Sequence, residues 1–232
     1  MKIIFSSFAL CWYFSPVWLY GQSELLFDKK LTPGQLVNDV FLGEGAKAGN
    51  IRYSGSNNAI AYFLDKEKIS GIYEGIFLTT GDVDLAKGPN KSEFTGNYNH
   101  MAGDEMLETI AYGNTYDAAV LEFDFVTASD NLMFEFVFCS EEYDEYVGSK
   151  YNDVFGFFVN RKGTDETVNI AKLPDRITPI TINTVNRKTN KKGPLMAQED
   201  VKDKVNEFFE YTARTTCQRA TITQPDRTGI PR

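Results

Sequence analysis

The sequence predicts a mostly β protein: an antiparallel, jelly-roll-like β-sandwich with one or two short helices. Aromatic residues make up 14% of the chain, with 18 Phe and 12 Tyr, and these residues suit the half-buried surface of a sheet. Several short segments alternate between apolar and polar residues, and turn-forming residues separate them. Little of the chain has helical periodicity, so we expect strands packed on strands to form the core.

The chain begins with a predicted secretory signal peptide, residues 1–21. Lys2 precedes the uncharged stretch Ile3–Leu19, and Gly21 is the small residue before the expected cleavage site. The apolar stretch has 17 residues, whereas a membrane-spanning helix needs about 20. Cleavage is therefore the favoured interpretation, and a retained membrane anchor is the alternative.

A short helix is the first element expected in the predicted domain, residues 22–186. Apolar residues recur at roughly helical spacing over Leu31–Leu42. Thr32 is a suitable N-cap, and Pro33 suits the first turn of a helix. We expect this helix to end near Gly43.

Strands and a long polar connection are expected next. Ile51–Phe63 is predicted to form two strands around a loop of Ser, Gly and Asn, and Ile76–Thr80 is predicted to form another strand. Asp82–Asn114 is long and polar, with a helical turn expected at Asp104–Ala111. A connection of that length is usually either functional or disordered.

The clearest strands lie in the middle of the chain. Residues 119–126 and residues 132–138 alternate strictly between the two faces of a strand. Ala128–Asn131 supplies a turn between them, so we expect an antiparallel hairpin. Further strands are expected within Val154–Asn160, Thr167–Lys172 and Ile177–Val185.

Residues 187–232 are predicted to form a divergent or truncated tail. Gln198–Tyr211 places apolar residues at helical spacing, which predicts one short helix there. After cleavage of the signal peptide only Cys139 and Cys217 remain. They could pair in an oxidising compartment, although separate thiols are the favoured interpretation.

The acidic charge of the chain argues against nucleic acid as a partner. The formal net charge is −8 and the isoelectric point is about 4.8, whereas nucleic-acid binding depends on basic groups. No second segment of the sequence is long and apolar enough to span a bilayer. We therefore expect membrane contact only through the signal peptide or a missing C-terminal anchor.

An acidic run follows the second clear strand and suggests a cation site. Four carboxylates within residues 141–145 repel one another unless a cation or water intervenes, and oxygen donors on a loop suit Ca²⁺. The hypothesis is a Ca²⁺ site built from Glu141, Glu142, Asp144 and Asp153. The alternative is a solvated acidic turn, because the spacing does not match the EF-hand pattern.

A weaker set of Ca²⁺ ligands lies in the long polar connection. Asp82, Asp84 and Asp104 offer oxygens beside Gly and Asn residues that permit tight turns. Ordinary turns capped by aspartate are the favoured interpretation of this set.

The sequence offers little that indicates catalysis. His100 is the only histidine, and neither a Gly-x-Ser-x-Gly turn nor a Gly-rich phosphate loop is present. A zinc site would lack its usual His and Cys ligands. Paired carboxylates for glycoside hydrolysis stay open as an alternative, because their separation in space is not visible in a sequence.

Several segments resemble the choice-of-anchor L domain, a module of exported bacterial proteins. The likeness lies in Ile76–Asn90, Asn114–Phe125 and above all Phe136–Phe158, which contains the strings SEEY and YNDVFGFF in one register. It spans roughly Leu31 to Asn186. Motif positions of the family are matched by Glu141, Glu142, Tyr143, Asn152 and Asp153, which have no established role there.

The resemblance implies a β-rich module that is secreted or held at the cell surface. The usual supposition for the family is adhesion or ligand binding, without an agreed enzymatic activity. We therefore expect a non-catalytic module that binds an extracellular glycan or protein. Its stabilisation by Ca²⁺ is a separate expectation that rests on the density of oxygen donors in the acidic run. The alternatives are a secreted carboxylate-dependent hydrolase and a purely structural envelope protein.

The end of the chain departs from the family pattern. Family members usually continue past the region of Asn186 into further strands and an anchoring segment. Neither is recognisable in residues 187–232, so we expect the C-terminal part of the sandwich to be incomplete, as in a fragment or a shortened reading frame. A sandwich without its last strands would expose unpaired edges.

Overall fold

The fold was obtained as a computed structural model, and it describes residues 25–67, 70–87, 96–128, 131–132, 135–140, 146–160, 163–173, 175–186 and 222–223. The predicted signal peptide, the predicted helix at 198–211 and Cys217 lie outside these residues, so those predictions stay untested. Within the described ranges no helix is long and apolar enough to cross a membrane.

The described part of the chain contains short strands, two short α-helices and two other short helical segments. In chain order they are β1 (Leu25–Asp28), α1 (Pro33–Gln35), a π-helix (Leu36–Phe41), β2 (Ala46–Ser54), β3 (Ile60–Asp65), β4 (Glu74–Leu78), a 3-10 turn (Leu85–Lys87), α2 (Glu105–Ala111), β5 (Val120–Thr127), β6 (Asn131–Leu132), β7 (Val154–Phe155), β8 (Phe158–Asn160), β9 (Thr167–Asn169), β10 (Ile180–Thr181) and β11 (Ile222–Thr223). The strand pairings between these elements are antiparallel. This confirms the predicted mostly β, antiparallel class with short helices.

The strands form one sheet of three and several pairs. The larger sheet has the order β1-β3-β4, and the pairs are β2 with β5, β6 with β11, β7 with β10 and β8 with β9. The longest pairing runs from Ala46 opposite Thr127 to Ser54 opposite Val120. An irregularity between Gly49 and Arg52 shifts its register.

The first helix begins and ends where the sequence predicts. The Thr32 hydroxyl accepts the Gln35 N–H at 3.3 Å, and the Gln35 side chain accepts the Thr32 N–H at 2.9 Å, which is a capping box. The Leu42 N–H donates to the Val37 carbonyl at 3.0 Å, five residues back, and closes the π-helix. Leu36 and Val37 are fully buried, so this short helix is held mainly by packing.

The expected hairpin of residues 119–126 with 132–138 is not what the described strands show. β5 pairs with β2, while β6 pairs with β11 from the tail that was predicted to be divergent. Alternation does identify the faces, because Leu121, Phe123 and Phe125 are less exposed than Glu122, Asp124 and Val126. Alternation identifies a buried face without identifying the strand that pairs with it.

A compact apolar cluster anchors the second half of the described chain. Phe136 and Phe138 are 7% and 8% exposed, as the alternation predicts, although no strand is assigned to residues 135–140. They pack in one cluster with Ala171, Ile180, Ile182 and Val185, which are fully buried. Phe138 of this cluster lies two residues before Ser140, which is itself buried and directly precedes the acidic run.

Candidate functional site

Two segments of the long polar connection are joined to each other through their backbones. Residues 96–104 and 112–118, called here the tyrosine loops, meet at an isolated antiparallel bridge between Ala102 and Tyr116. The predicted polar connection therefore does not run freely over the surface. It has a fixed internal geometry that positions the side chains it carries.

Asp117 is the main anchor of the tyrosine loops. Its carboxylate accepts the Met101 N–H at 2.6 Å and the Asn99 N–H at 3.2 Å. Its own N–H donates to the Met101 carbonyl at 3.1 Å. Asp117 is 8% exposed and has a φ of 55°, a left-handed conformation that aspartate tolerates better than most residues.

Asn99 ties the tyrosine loops to the end of β4. Its side-chain amide donates to the carbonyl of Thr80 at 2.9 Å and to the carbonyl of Gly81 at 2.7 Å. Thr80 is the last residue of the strand predicted at Ile76–Thr80, and Gly81 follows it directly. The loops are thereby fastened to the three-stranded sheet.

Helix α2 connects the two tyrosine loops and is capped at both ends. Asp104 is the N-cap, and its carboxylate accepts the N–H groups of Met106 and Leu107 at 2.9 and 3.0 Å. The Asp104 N–H donates to the Thr115 hydroxyl at 2.9 Å, and Glu108 accepts the Thr115 N–H at 3.3 Å. The helical turn predicted at Asp104–Ala111 is confirmed.

Gly103 lies against the backbone of the opposite loop. A Cβ atom at position 103 would lie 2.1 Å from the Thr115 carbonyl oxygen and 2.4 Å from the Thr115 hydroxyl. Such distances are far below van der Waals contact, so only glycine allows the two loops to approach this closely.

Large aromatic side chains of the tyrosine loops are exposed to solvent. Tyr98 is 79% exposed, Tyr112 is 89% exposed and Tyr116 is 72% exposed. The rings of Tyr98 and His100 are stacked with their centroids 6.5 Å apart. Sequence reasoning missed these tyrosines, because neither periodicity nor composition reveals which aromatic residues of a polar loop are left uncovered.

The same loops concentrate unusual backbone conformations. His100, Tyr112 and Asp117 have φ values between 55° and 57°, and they are three of the five described non-glycine residues with positive φ. Tyr112 adopts this conformation at the C-cap of α2. Such conformations cost energy and persist where surrounding bonds impose them, often at binding sites.

The acidic run predicted to bind Ca²⁺ is described only at its borders. Glu141, Glu142 and Asp144 lie outside the described residues. Asp153 accepts a hydrogen bond from the Ser140 hydroxyl at 2.9 Å. The structure therefore brings Asp153 beside the residue that immediately precedes Glu141.

The surroundings of Asp153 disfavour an uncompensated charge. Burial raises the pKa of the Asp153 carboxyl above its ordinary value, and the hydrogen bond from Ser140 opposes this shift only in part. A cation beside Asp153 would offset the cost of burying its charge.

Polar side chains brace the segment between the acidic run and Asp153. Asn152 accepts the Asn183 N–H at 3.1 Å, and Asn183 in turn accepts the Gly148 N–H at 2.6 Å. The Ile182 N–H donates to the Asp153 carbonyl at 3.1 Å. The backbone of Asp153 is therefore bonded to Ile182, a residue of the apolar cluster.

The weaker set of predicted Ca²⁺ ligands has partners within the protein. Lys29 Nζ lies 2.6 Å from an Asp84 oxygen and 3.4 Å from an Asp82 oxygen, and Lys87 Nζ lies 2.6 Å from the other Asp84 oxygen. Hydrogen bonds from Lys29 and Lys87 hold the pKa of Asp84 below its ordinary value. Asp104 is engaged as the N-cap of α2.

Metal-binding clusters are not found among the described side chains. Within the ranges given above, no group of three or more His, Cys, Asp or Glu residues is arranged to hold a metal ion. The stronger Ca²⁺ set thus stays a prediction that depends on Glu141, Glu142 and Asp144.

Fold and surface together define a mostly β antiparallel module whose bridged polar loops expose tyrosines. A family model described as the choice-of-anchor L domain matches residues 25–226. The chain therefore belongs to the choice-of-anchor L domain family and is a surface-associated, extracellular module. The match extends beyond Asn186, where the sequence analysis placed the end of the similarity. No significant similarity was found to curated proteins or to solved structures.

Proposed function

We propose that this chain is a non-catalytic exported surface module that binds an extracellular glycan or protein through the tyrosine loops. The observation that carries the proposal is the exposure of Tyr98, Tyr112 and Tyr116 on a hydrogen-bonded backbone. Aromatic side chains have few rotatable bonds, so they lose little entropy on binding while burying much apolar area. They are also the residues that most often dominate the energy of an interface.

Adhesion assays with beads coated by the chain test this proposal. On a panel of immobilised neutral polysaccharides, charged polysaccharides and purified matrix proteins, we expect the beads to adhere to at least one surface. The triple variant Tyr98→Ser, Tyr112→Asn, Tyr116→Ser should reduce adhesion at least about tenfold, because it removes the exposed rings. Asn is used at position 112 because it tolerates the left-handed backbone.

The control for the adhesion assay is Tyr73→Ser. Tyr73 is 46% exposed and lies outside the tyrosine loops, so this variant should adhere like the parent. Equal adhesion of the parent and the triple variant would refute the proposal. Release of soluble fragments from a polysaccharide would favour the hydrolase alternative, and adhesion to none of the surfaces would favour a structural envelope protein.

Ca²⁺ is the proposed stabilising ion of the acidic run, with Glu141, Glu142, Asp144 and Asp153 as ligands. The position of Asp153 beside Ser140 and the raised pKa of its carboxyl support this assignment. Oxygen donors from the acidic run, together with the carboxylate of Asp153, suit the coordination of Ca²⁺.

Calcium should raise the thermal midpoint of unfolding of the chain. At a concentration of about 100 Kd we expect a stabilisation of about 2.7 kcal/mol, lost on chelation and absent in Asp153→Asn. Without calcium, the contribution of Asp153 to the free energy of unfolding should fall as the pH rises above about 4, because the folded state binds the Asp153 proton more tightly than the unfolded state does. A midpoint that neither Ca²⁺ nor chelator moves would contradict the cation site.

A further inference from the structure

Cationic side chains are missing from a long part of the sequence around the tyrosine loops. From Ser92 to Ser149 there is no Lys or Arg, whereas there are 13 Asp and Glu residues. This stretch has a formal charge of −13 and the rest of the chain has +5, which together give the net charge of −8. The acidity of the protein is therefore concentrated in the stretch that contains the tyrosine loops.

In the described part of the chain, carboxylates within the tyrosine loops and α2 bond to backbone N–H groups and not to cationic side chains. Asp104, Glu108 and Asp117 accept hydrogen bonds from backbone N–H groups, which orient the carboxylates without supplying a compensating positive charge. Glu105 lies on the exposed side of α2. Since Lys and Arg are absent from residues 96–118, the loops should carry a negative potential that attracts cationic groups.

The exposed side chains are suited to binding cations. The face of a tyrosine ring is electrostatically negative and attracts an ammonium or a guanidinium group within about 6 Å of the ring centroid. Arginine can in addition stack its planar guanidinium group on the ring. The exposed rings of Tyr98, Tyr112 and Tyr116 thus offer attractive contacts that the acidic surroundings strengthen.

Two exposed methionines favour a polypeptide over a sugar as the source of these cations. Met101 is 38% exposed and Met106 is 42% exposed, one in a tyrosine loop and one in the first turn of α2. Aromatic residues and methionine are the types that protein–protein interfaces enrich, and methionine adapts its shape to different partners.

We infer that the tyrosine loops bind a cationic polypeptide segment, rich in arginine or lysine. The inference rests on the proposed function of the tyrosine loops and specifies the chemical class of their partner. Charge attracts the partner, and the tyrosine and methionine side chains provide the contact area. Long-range attraction of this kind mainly raises the rate of association and weakens as salt is added.

Fluorescence anisotropy with labelled peptides tests the inference directly. The probes are flexible peptides of one length in which arginine, lysine, glutamate or serine alternates with Gly-Ser spacers. The parent chain should bind the arginine and lysine peptides at least about tenfold more tightly than the serine peptide, and it should not bind the glutamate peptide. For the arginine peptide, Kd should rise about tenfold or more between about 50 mM and about 500 mM NaCl.

Matched variants separate the contribution of the rings from that of charge. The triple variant Tyr98→Ser, Tyr112→Asn, Tyr116→Ser should weaken binding of the arginine peptide at least about tenfold, while Tyr→Phe at the same positions should stay within about threefold of the parent. Glu105→Gln should weaken binding of the arginine peptide about twofold. Glu166 is exposed and lies outside the loops, so Glu166→Gln should have no effect on this binding. The unfolding midpoint of each variant shows that it is folded.

Several results would overturn the inference. These are equal affinity for the serine and arginine peptides, affinity independent of salt, or unchanged binding by the triple variant. A different outcome is that the parent adheres to a neutral polysaccharide, the triple variant does not, and no cationic peptide binds. That outcome would overturn the cationic partner and leave the proposed function standing. Failure of every adhesion assay would instead overturn the proposed function.

Discussion

Replacing Gly103 with alanine should lower the free energy of unfolding by about 3 kcal/mol or more. The added methyl group would lie 2.1 Å from the Thr115 carbonyl oxygen and 2.5 Å from the Thr115 carbonyl carbon. Because both are backbone atoms, no side-chain rotation relieves the overlap. The two tyrosine loops would have to separate, and the hydrogen bond from the Asp104 N–H to the Thr115 hydroxyl would be lost.

Gly113→Ala is the matched control for Gly103→Ala. Gly113 lies in the second tyrosine loop, and a Cβ atom there would meet no other atom within 4 Å. We expect its effect on the free energy of unfolding, measured in urea, to stay within about 0.5 kcal/mol of zero. Equal effects of the two substitutions would contradict the close approach of the loops.

Asp117→Ala should cost about 3 kcal/mol of stability. The substitution removes the acceptor of the Met101 and Asn99 N–H groups, and each partly buried unsatisfied donor costs about 1–3 kcal/mol. Alanine is also disfavoured at a φ of 55°. The Met101 and Asn99 amides should lose protection against hydrogen exchange together, because one carboxylate holds both.

Asp117→Asn separates the two causes of this loss. Asparagine tolerates the left-handed conformation and keeps one side-chain oxygen as acceptor, so we expect about half the loss of Asp117→Ala. If Asp117→Ala unfolds at the same urea concentration as the parent, with unchanged exchange at Met101, then Asp117 does not organise the tyrosine loops.

Local features of the fold could be predicted because they depend on neighbouring residues. Thr32 caps its helix as the sequence indicates, and a helix begins after Asp104 as expected, since an N-cap bonds only to residues two or three positions away. The buried positions of Phe136 and Phe138 also follow from alternation alone. Each of these signals lies within a few residues of the feature it predicts.

Non-local features could not be predicted from the sequence. Which strand lies beside Val120–Thr127 depends on the packing of the whole chain, and the pairing with Ala46–Ser54 was not predicted. The need for glycine at position 103 arises from Thr115, twelve residues later, which no local pattern reveals. For the same reason the sequence singled out the acidic residues of the polar connection and missed its exposed tyrosines.

Covalent footprinting of tyrosines tests the central claim most directly. The claim is that the tyrosine loops are the binding surface of this surface module. Nitration read by mass spectrometry should modify Tyr98, Tyr112 and Tyr116 readily in the free chain, since they are 72–89% exposed. On a surface to which the chain adheres, these three residues should be protected while Tyr73 is modified as before. Unchanged modification of all three in the adhering chain would contradict the claim.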